Sequence, residues 1–211
     1  IFELPTTFAT NGDQSLTVDG NGSILTLTAP LTAPAANNLN KDGVGRLVLA
    51  AASPNLLGGV KVNSGILEIR HVLALGPAGG TETVVSTNAG LYLGNVVTVP
   101  GGQTSVGEQV RLNGGGFDPV QGALYNESGN TVWSGPVILE TGITSPPQAG
   151  GPGTVIGAAA TTQLNITGVI SDSGAGMGLV KEGAGEVKLG SPTGNTYRGQ
   201  TNVNPGVLTV T

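Results

Sequence analysis

Two stretches of the chain repeat one another, and this repetition limits the available folds more than any other feature. The first reads LNKDGVGRLVLAAASPNLLGGVKVNSGILEI (Leu39–Ile69), and the second reads LVKEGAGEVKLGSPTGNTYRGQTNVNPGVLTV (Leu179–Val210). Self-similarity at a fixed separation is typical of repeat architectures, in which each structural unit stacks on the one before. The matching positions keep their order and spacing: Lys41, Gly43, Gly45, Leu47 and Leu49 correspond to Lys181, Gly183, Gly185, Val187 and Leu189.

Short runs with a period of two dominate the chain. The segments GEVKLG, GRLVLA, GILEIR and GVLTVT alternate apolar and polar residues, as half-buried strands do. Clusters of Gly, Asn, Pro and Ser separate these runs and supply turns. No segment carries a sustained helical pattern, so the sequence predicts an all-β protein.

Internal repetition favours a β-solenoid over other all-β folds, because each coil of a solenoid contacts only its neighbours. The composition suits a narrow coil interior, since 37 residues are Gly and only 3% are aromatic. With roughly 20–25 residues per coil, the chain would form about nine coils and a rod of about 45 Å. A β-sandwich or jelly roll is the alternative.

The repeated stretches resemble the autotransporter-associated β-strand repeat, also called the passenger-associated transport repeat. Its pattern runs L-x-K-x-G-x-G-x-L-x-L and then N-x-Y-x-G-x-T-x-V-x-x-G-x-L-x-V, which the second stretch follows from Lys181 to Val210. The first stretch has Leu57 in place of the Tyr and Val60 in place of the Thr. The resemblance implies a right-handed parallel β-helix that is exported and displayed at the bacterial cell surface. It implies no reaction.

We expect a single β-solenoid domain over residues 1–211, with 39–70 and 179–210 as equivalent repeats. Residues 1–20 follow the repeat pattern least and begin with the apolar segment IFELPTT, so they form a candidate docking or edge segment. Because the chain begins with Ile1 rather than Met, we expect a processed product or a portion of something longer.

Charge and composition argue against several classes of protein. The net charge is −5 and the eight basic residues are scattered singly, whereas nucleic acids and anionic membranes attract clustered Lys and Arg. With no Cys and one His, the usual zinc ligand sets cannot form. No apolar stretch approaches the ~20 residues of a membrane-spanning helix. We therefore expect no nucleic-acid partner, no transmembrane segment and no cofactor or metal.

Few residues suit catalysis. His71 is the sole histidine, so any Ser-His-Asp triad would have to use it, and no Gly-x-Ser-x-Gly segment supplies a nucleophile. Asp118 and Asp172 are the acids most worth inspecting, but both lie at turns, which Asp readily caps. The sequence predicts a protein that is not an enzyme.

Scarce aromatic residues are candidates for surface contacts. Trp133 and Tyr125 lie in the segment ALYNESGNTVWSG, where an exposed ring would stack on a sugar or a protein. The alternative is that both rings pack between coils. Three Asn-x-Ser/Thr sequons make Asn21, Asn126 and Asn165 candidate glycosylation sites.

Two functional hypotheses follow. The first is an extracellular structural protein, a rod or filament subunit that serves adhesion, matrix or fibre formation. Because neither end carries an evident cap, copies would associate head to tail or the chain would continue. The second is a carbohydrate-binding or carbohydrate-active module, which needs acids that converge in a groove beside Trp133 or Tyr125. The expected partners are a second copy, a glycan or a host or cell-surface ligand.

Overall fold

A computed structural model describes residues 6–7, 12–98, 104–140, 153–174 and 176–211. Throughout these residues every strand pairing is parallel. Sandwiches and jelly rolls pair their strands antiparallel. The structure therefore confirms the all-β solenoid and excludes the alternative. The described residues contain no helix that could cross a membrane.

The strands form four sheets. Sheet I contains β3 (Ile24–Leu27), β6 (Arg46–Leu49), β9 (Gly65–His71), β11 (Ala89–Val97), β13 (Leu124–Ser128), β16 (Gly153–Ala158), β19 (Gly178–Glu182) and β21 (Thr201–Val203). Sheet II contains β2 (Gln14–Thr17), β5 (Leu39–Asp42), β8 (Val60–Val62), β10 (Thr83–Val85), β12 (Val110–Leu112), β15 (Val137–Leu139) and β18 (Ile170–Asp172). Sheet III contains β14 (Asn130–Trp133), β17 (Gln163–Ile166), β20 (Glu186–Leu189) and β22 (Val207–Val210). Sheet IV contains β1 (Thr6–Thr7), β4 (Leu31–Ala33) and β7 (Asn55–Leu56).

The chain visits these sheets in a fixed order. Each of seven coils in the described structure gives a strand to sheet II and the next strand to sheet I. The third strand of a coil belongs to sheet IV near the start of the chain and to sheet III towards its end. This order builds a solenoid in which every strand pairs with the equivalent strands of neighbouring coils.

Aliphatic side chains stack from coil to coil inside the solenoid. In sheet I the register pairs aliphatic residues with one another. Four leucines and an isoleucine form a continuous inward row with no exposed surface. Parallel in-register pairing repeats each inward position at the strand spacing of about 4.8 Å, which favours branched aliphatic residues of similar size. The row consists of Leu47, Leu67, Leu91, Leu124 and Ile156.

The expectation of about nine coils is wrong because the coils differ in length. Leu47 pairs with Leu67, which is 20 residues further on, whereas Leu91 pairs with Leu124, which is 33 residues further on. The longer coils carry extended turns, such as the loop that follows β12. Fewer coils therefore account for the same chain length.

The candidate docking segment at residues 1–20 is only partly described. Residues 1–5 and 8–11 lie outside the described residues. Thr6 and Thr7 form β1 and pair with Leu31 and Thr32 of β4. The docking role stays a prediction.

Glu108 is an acidic residue at a buried position. It alternates with Val106 and Val110, which belong to the core, and only 3% of its surface is exposed. Both carboxylate oxygens are buried without a hydrogen-bond partner. Burial disfavours the charged form and raises the pKa of Glu108 to about 8 from its ordinary value of 4.5.

Replacing Glu108 by Gln tests this interpretation through the pH dependence of stability. The folded state keeps a proton that the unfolded chain releases, so the stability of the native protein falls as the pH rises from about 4.5 through about 8. The loss is on the order of 1.4 kcal/mol for each unit of pKa difference. In urea unfolding, Glu108→Gln is expected to be more stable than the native protein above pH 8 and similar to it near pH 4.5.

The matched control is Glu82→Gln, because the Glu82 carboxylate accepts hydrogen bonds from Arg111. The free energy of unfolding of this variant is not expected to exceed that of the native protein at alkaline pH. Parallel stability curves for Glu108→Gln and the native protein would contradict the assignment.

Candidate functional site

Several side chains on the outer face of sheet I are buried although they do not belong to the core cluster. Val48, Glu68, Tyr92 and Tyr125 follow one another in register on β6, β9, β11 and β13. Their exposed fractions are 7% or less. Something other than the core must therefore cover this face.

The loop after β12 supplies part of this cover. The Tyr92 hydroxyl donates a hydrogen bond to Gln121 Oε1 at 2.5 Å, and Phe117 of the same loop lines a small cavity together with Arg46 and Ile66. Tyr92 and Tyr125 lie 5.4 Å apart between ring centroids, with their planes tilted by 56°. Burial raises the pKa of Tyr92 well above its ordinary range and also raises the pKa of Tyr125.

Arg46 joins two carboxylates that are far apart in the sequence. Its Nη1 donates to Glu68 Oε2 at 2.8 Å and to Glu127 Oε2 at 2.7 Å, and its Nη2 donates to Glu127 Oε1 at 3.0 Å. The guanidinium carbon lies 5.5 Å from the centre of the Tyr92 ring. Hydrogen bonding to Glu127, with a smaller contribution from Glu68, raises the pKa of Arg46 above its usual range.

Glu127 reaches this cluster because of an irregularity in strand pairing. Leu93 pairs with Asn126 and Gly94 pairs with Ser128, so Glu127 is an extra residue on β13. Such a bulge redirects a side chain relative to regular alternation. The irregular register therefore brings Glu127 to Arg46.

Gly94 makes room for Glu68. A Cβ at this position would lie 2.8 Å from Glu68 Cδ and 3.1 Å from Glu68 Cγ, which is closer than packed atoms tolerate. Glu68 is 2% exposed, and its Oε1 accepts a hydrogen bond from Arg70 Nε at 2.5 Å. A side chain at position 94 would displace this carboxylate.

An open groove adjoins the cluster. It has a volume of about 440 Å³, and its walls include Glu68, Arg70, Asn95, Glu127 and Ser128. Two carboxylates and two guanidinium groups thus meet on one outer surface, close to Tyr92. We call this surface the Arg46 groove.

The two aromatic residues singled out from the sequence do not present free rings. Trp133 is fully buried and belongs to the core cluster, and its indole N–H has no hydrogen-bond partner. Tyr125 is 7% exposed and lies against Tyr92. The expectation that either ring is an exposed stacking platform is therefore wrong, because one ring fills the solenoid and the other is covered.

The three sequons differ in their accessibility. Asn21 is exposed in a turn, and Asn165 is half-buried on β17. Asn126 is fully buried, and its amide donates to Gly129 O at 2.8 Å and to Gln163 O at 3.2 Å. Asn126 is therefore not accessible for modification in the folded chain.

The acids and the histidine named from the sequence serve as turn caps. Asp118 Oδ1 accepts from Val120 N at 3.1 Å. Asp172 accepts from Gly174 N and from the Arg198 side chain, which holds the pKa of its carboxyl well below the usual range. His71 Nδ1 accepts from Leu73 N at 3.0 Å, and burial lowers its pKa. Among the described residues, no cluster of three His, Cys, Asp or Glu side chains could hold a metal ion.

The Arg46 groove is the feature that sequence reasoning missed. The sequence singles out Asp118 and Asp172 among the acids, and neither of them belongs to this groove. Arg46, Glu68 and Glu127 are brought together by coils of unequal length and by a bulge. No local sequence pattern predicts the unequal coil lengths or the bulge.

The lysine of the first repeat is buried and binds backbone carbonyl groups. Lys41 is 0% exposed, and its Nζ donates to Asp42 O at 2.9 Å, Gly43 O at 2.7 Å and Ser64 O at 3.0 Å. These carbonyl groups lie in two turns, one from each of two neighbouring coils. Burial lowers the pKa of Lys41 to about 8. The ammonium group therefore ties one turn to the next.

The second repeat reproduces this arrangement. Lys181 is also 0% exposed, and its Nζ donates to Gly183 O and Pro205 O. Gly43 and Gly183 have φ values of 77° and 78°, a region that favours Gly. The spacing of Lys and Gly that the two repeats share thus specifies one corner of a coil and its link to the following coil.

The next glycine of each repeat fits under the preceding corner. A Cβ at Gly65 would lie 2.5 Å from Gly43 O, and a Cβ at Gly206 would lie 2.5 Å from Gly183 O. Both glycines also have positive φ values, of 68° and 89°. Close approach of the two turns therefore requires Gly at both positions.

These corner residues lie within the two segments that match a known family. The model of the passenger-associated-transport-repeat family matches residues 39–69 and 179–210. The chain contains two passenger-associated transport repeats. No curated protein and no solved structure matches the chain.

The two passenger-associated transport repeats do not occupy the same face of the solenoid. The first repeat turns from sheet II into sheet I, through β5 and β6, whereas the second turns from sheet I into sheet III, through β19 and β20. The repeat therefore specifies a strand–turn–strand corner rather than a fixed position in the coil. A β-solenoid that carries these repeats fits a passenger-like bacterial surface protein.

Replacing Lys41 by Met tests the role of the buried ammonium group. The variant keeps a side chain of similar length but takes the ammonium donor away from Ser64 O, whereas Asp42 O and Gly43 O keep the Val18 N–H and the Ser64 hydroxyl as donors. A buried group left unpaired costs about 1–3 kcal/mol, so we expect the free energy of unfolding in urea to fall by about that amount. The control Lys61→Met removes a half-exposed lysine paired with Asp13 at 3.5 Å, and is expected to cost about 1 kcal/mol or less. Equal losses in both variants would contradict the proposed link.

Replacing Gly94 by Ala tests the packing beneath Glu68. The new methyl group forces the carboxylate away from Arg46 and Arg70, with an expected cost of about 1–3 kcal/mol. In the control Gly190→Ala, the nearest atoms lie 3.4 Å from the new Cβ, and the change should stay within about 0.5 kcal/mol. Measuring the free energy of unfolding of each variant in urea checks both predictions. A Gly94→Ala variant as stable as the native protein would show that Glu68 moves without cost.

Proposed function

We propose that the chain is a non-enzymatic extracellular structural protein, a solenoid rod that serves adhesion, matrix or fibre formation at the bacterial surface. The observation that carries this proposal is the pair of buried lysine corners in a stack of parallel coils. At each corner the ammonium group binds carbonyl groups of two neighbouring coils, and no group suited to catalysis takes part. The result is a stiff spacer, which is the mechanical part of such a role.

The chemistry of the Arg46 groove also favours a role without catalysis. Glu68 and Glu127 both accept hydrogen bonds from arginine N–H groups. A general acid has to carry and donate a proton, whereas these carboxylates are engaged as acceptors. Their arrangement is that of an ion-pair network.

The last coil supports self-association or continuation of the stack. In the described structure β21 and β22 each pair with a strand on one side only. Val203, Val207 and Val210 are 50%, 53% and 70% exposed. Unpaired strand edges with apolar side chains are templates for another strand. A second copy or a further coil of the same chain would complete this surface.

Electron microscopy combined with sedimentation tests the assembly. The native chain at moderate concentration is expected to form filaments or concentration-dependent oligomers. Val210→Lys places a charge on the open edge and is expected to abolish them. The control Val120→Lys adds the same charge at a residue that is 64% exposed in the loop after β12, and it should leave assembly intact.

The result that contradicts the assembly proposal is a native chain that stays monomeric at high concentration. Equal loss of assembly in both variants would also contradict it, since a general effect of charge would then be responsible. Neither result alters the solenoid fold or the passenger-associated transport repeats.

Recognition of a carbohydrate is the second candidate function. One observation favours it: the Arg46 groove brings two acids together on the outer face of sheet I, the face that also carries the covered Tyr92–Tyr125 pair.

A further inference from the structure

The Arg46 groove exists because β11 departs from regular pairing on both of its sides. Towards β9, Leu93 pairs with Ile69 and Val97 pairs with His71, so that Gly94–Val96 lie opposite the single residue Arg70. Towards β13, Glu127 is the extra residue. Bulges of this kind are frequent beside binding sites, where they redirect side chains. In this solenoid they open a depression in an otherwise continuous ladder.

Asn95 shows that the backbone of this depression is held in an uncommon conformation. Its φ value is 50°, and it is one of three non-glycine residues with positive φ in the described structure. Such conformations occur at sites where the surrounding structure imposes them. Asn95 is exposed and belongs to the groove wall.

The charged groups of the groove are fixed before any ligand arrives. Glu68 is 2% exposed and accepts from Arg46 and Arg70, and Glu127 accepts two hydrogen bonds from Arg46. A ligand that binds these groups does not have to order them, which favours affinity. The volume of about 440 Å³ lies within the range of small-molecule sites.

The polar groups select the chemistry of the ligand. Arg70 and Asn95 offer donors, Glu127 offers an acceptor, and Ser128 offers both. The two arginines and two glutamates cancel in charge. An anion would meet two carboxylates in a chain of net charge −5, and a cation would meet carboxylates that are already paired with Arg46 and Arg70. A neutral molecule with many hydroxyl groups meets neither penalty, because each hydroxyl both donates and accepts.

Apolar surface is present on the same wall. Val97 lines the groove and is 55% exposed. Sugar rings carry C–H faces between their hydroxyl groups, so a wall that combines Val97 with Asn95 and Arg70 suits them.

We propose that the Arg46 groove binds a neutral oligosaccharide, with hydroxyl groups donating to Glu127 and accepting from Arg70 and Asn95. This inference rests on the second candidate function and assigns its site and ligand class. It is independent of the open edge at β21 and β22.

Binding to a panel of oligosaccharides tests the inference. The full chain is titrated by calorimetry with neutral oligosaccharides of two to six sugars built from glucose, galactose, mannose, xylose or N-acetylglucosamine, and with uronate-containing oligosaccharides of the same lengths. At least one neutral member is expected to bind, and the acidic members are expected to bind more weakly.

Two variants locate the binding. Asn95→Gly tolerates the positive φ while removing the amide, and Arg70→Ala removes a donor; each is expected to weaken binding about fivefold or more. The matched controls are Asn88→Gly, at an exposed asparagine with φ 64° outside the groove, and Arg198→Ala, at an exposed arginine paired with Asp172. Both controls should bind as the native chain does.

Three outcomes would overturn the inference. They are the absence of binding at millimolar concentration across the neutral panel, equal affinity in the native chain and both groove variants, and preference for the uronate-containing members. If the native chain forms filaments but binds no sugar, only the binding proposal is contradicted. A chain that binds neutral sugars yet stays monomeric would fail only the assembly proposal.

Discussion

The structure depends on one constraint, the pairing of each strand with its equivalent in the next coil. Parallel in-register pairing places every inward residue above another inward residue, and Leu47, Leu67 and Leu91 follow one another for this reason. A mismatch in size at one coil is passed directly to its neighbours, which explains the uniform aliphatic interior. Trp133 is a fully buried exception, inside the solenoid beside Val106.

The corners pose the main physical problem of such a stack. Strand hydrogen bonds end at a turn, and buried carbonyl groups need another donor. Lys41 and Lys181 supply it with an ammonium group that reaches two turns at once. The buried lysine costs desolvation, as the lowered pKa of Lys41 indicates, but its hydrogen bonds join neighbouring coils at the corner.

The same pairing rule marks the place where the surface departs from a simple scaffold. Around Gly94 the pairing is irregular on both sides of β11. Arg46 forms ion pairs with Glu68 and Glu127 there. The irregularity therefore sets the Arg46 groove, for which we propose a binding role, apart from the regular stack around it, and it leaves the open edge at β21 and β22 unchanged.

The all-β class, the stacking of coils and the position of both repeats could be read from the sequence, because a period of two and the Lys–Gly spacing are local properties of the chain. Only the tertiary structure decided that the first repeat turns from sheet II into sheet I and the second from sheet I into sheet III. It also decided that Trp133 lies inside, that Tyr125 is covered, and that Glu68 meets Glu127. The physical reason is that coil lengths vary from 20 to 33 residues, as the pairings of Leu47 with Leu67 and of Leu91 with Leu124 illustrate. The neighbours of a residue across the ladder are then set by the register of whole coils, which no short stretch of sequence specifies.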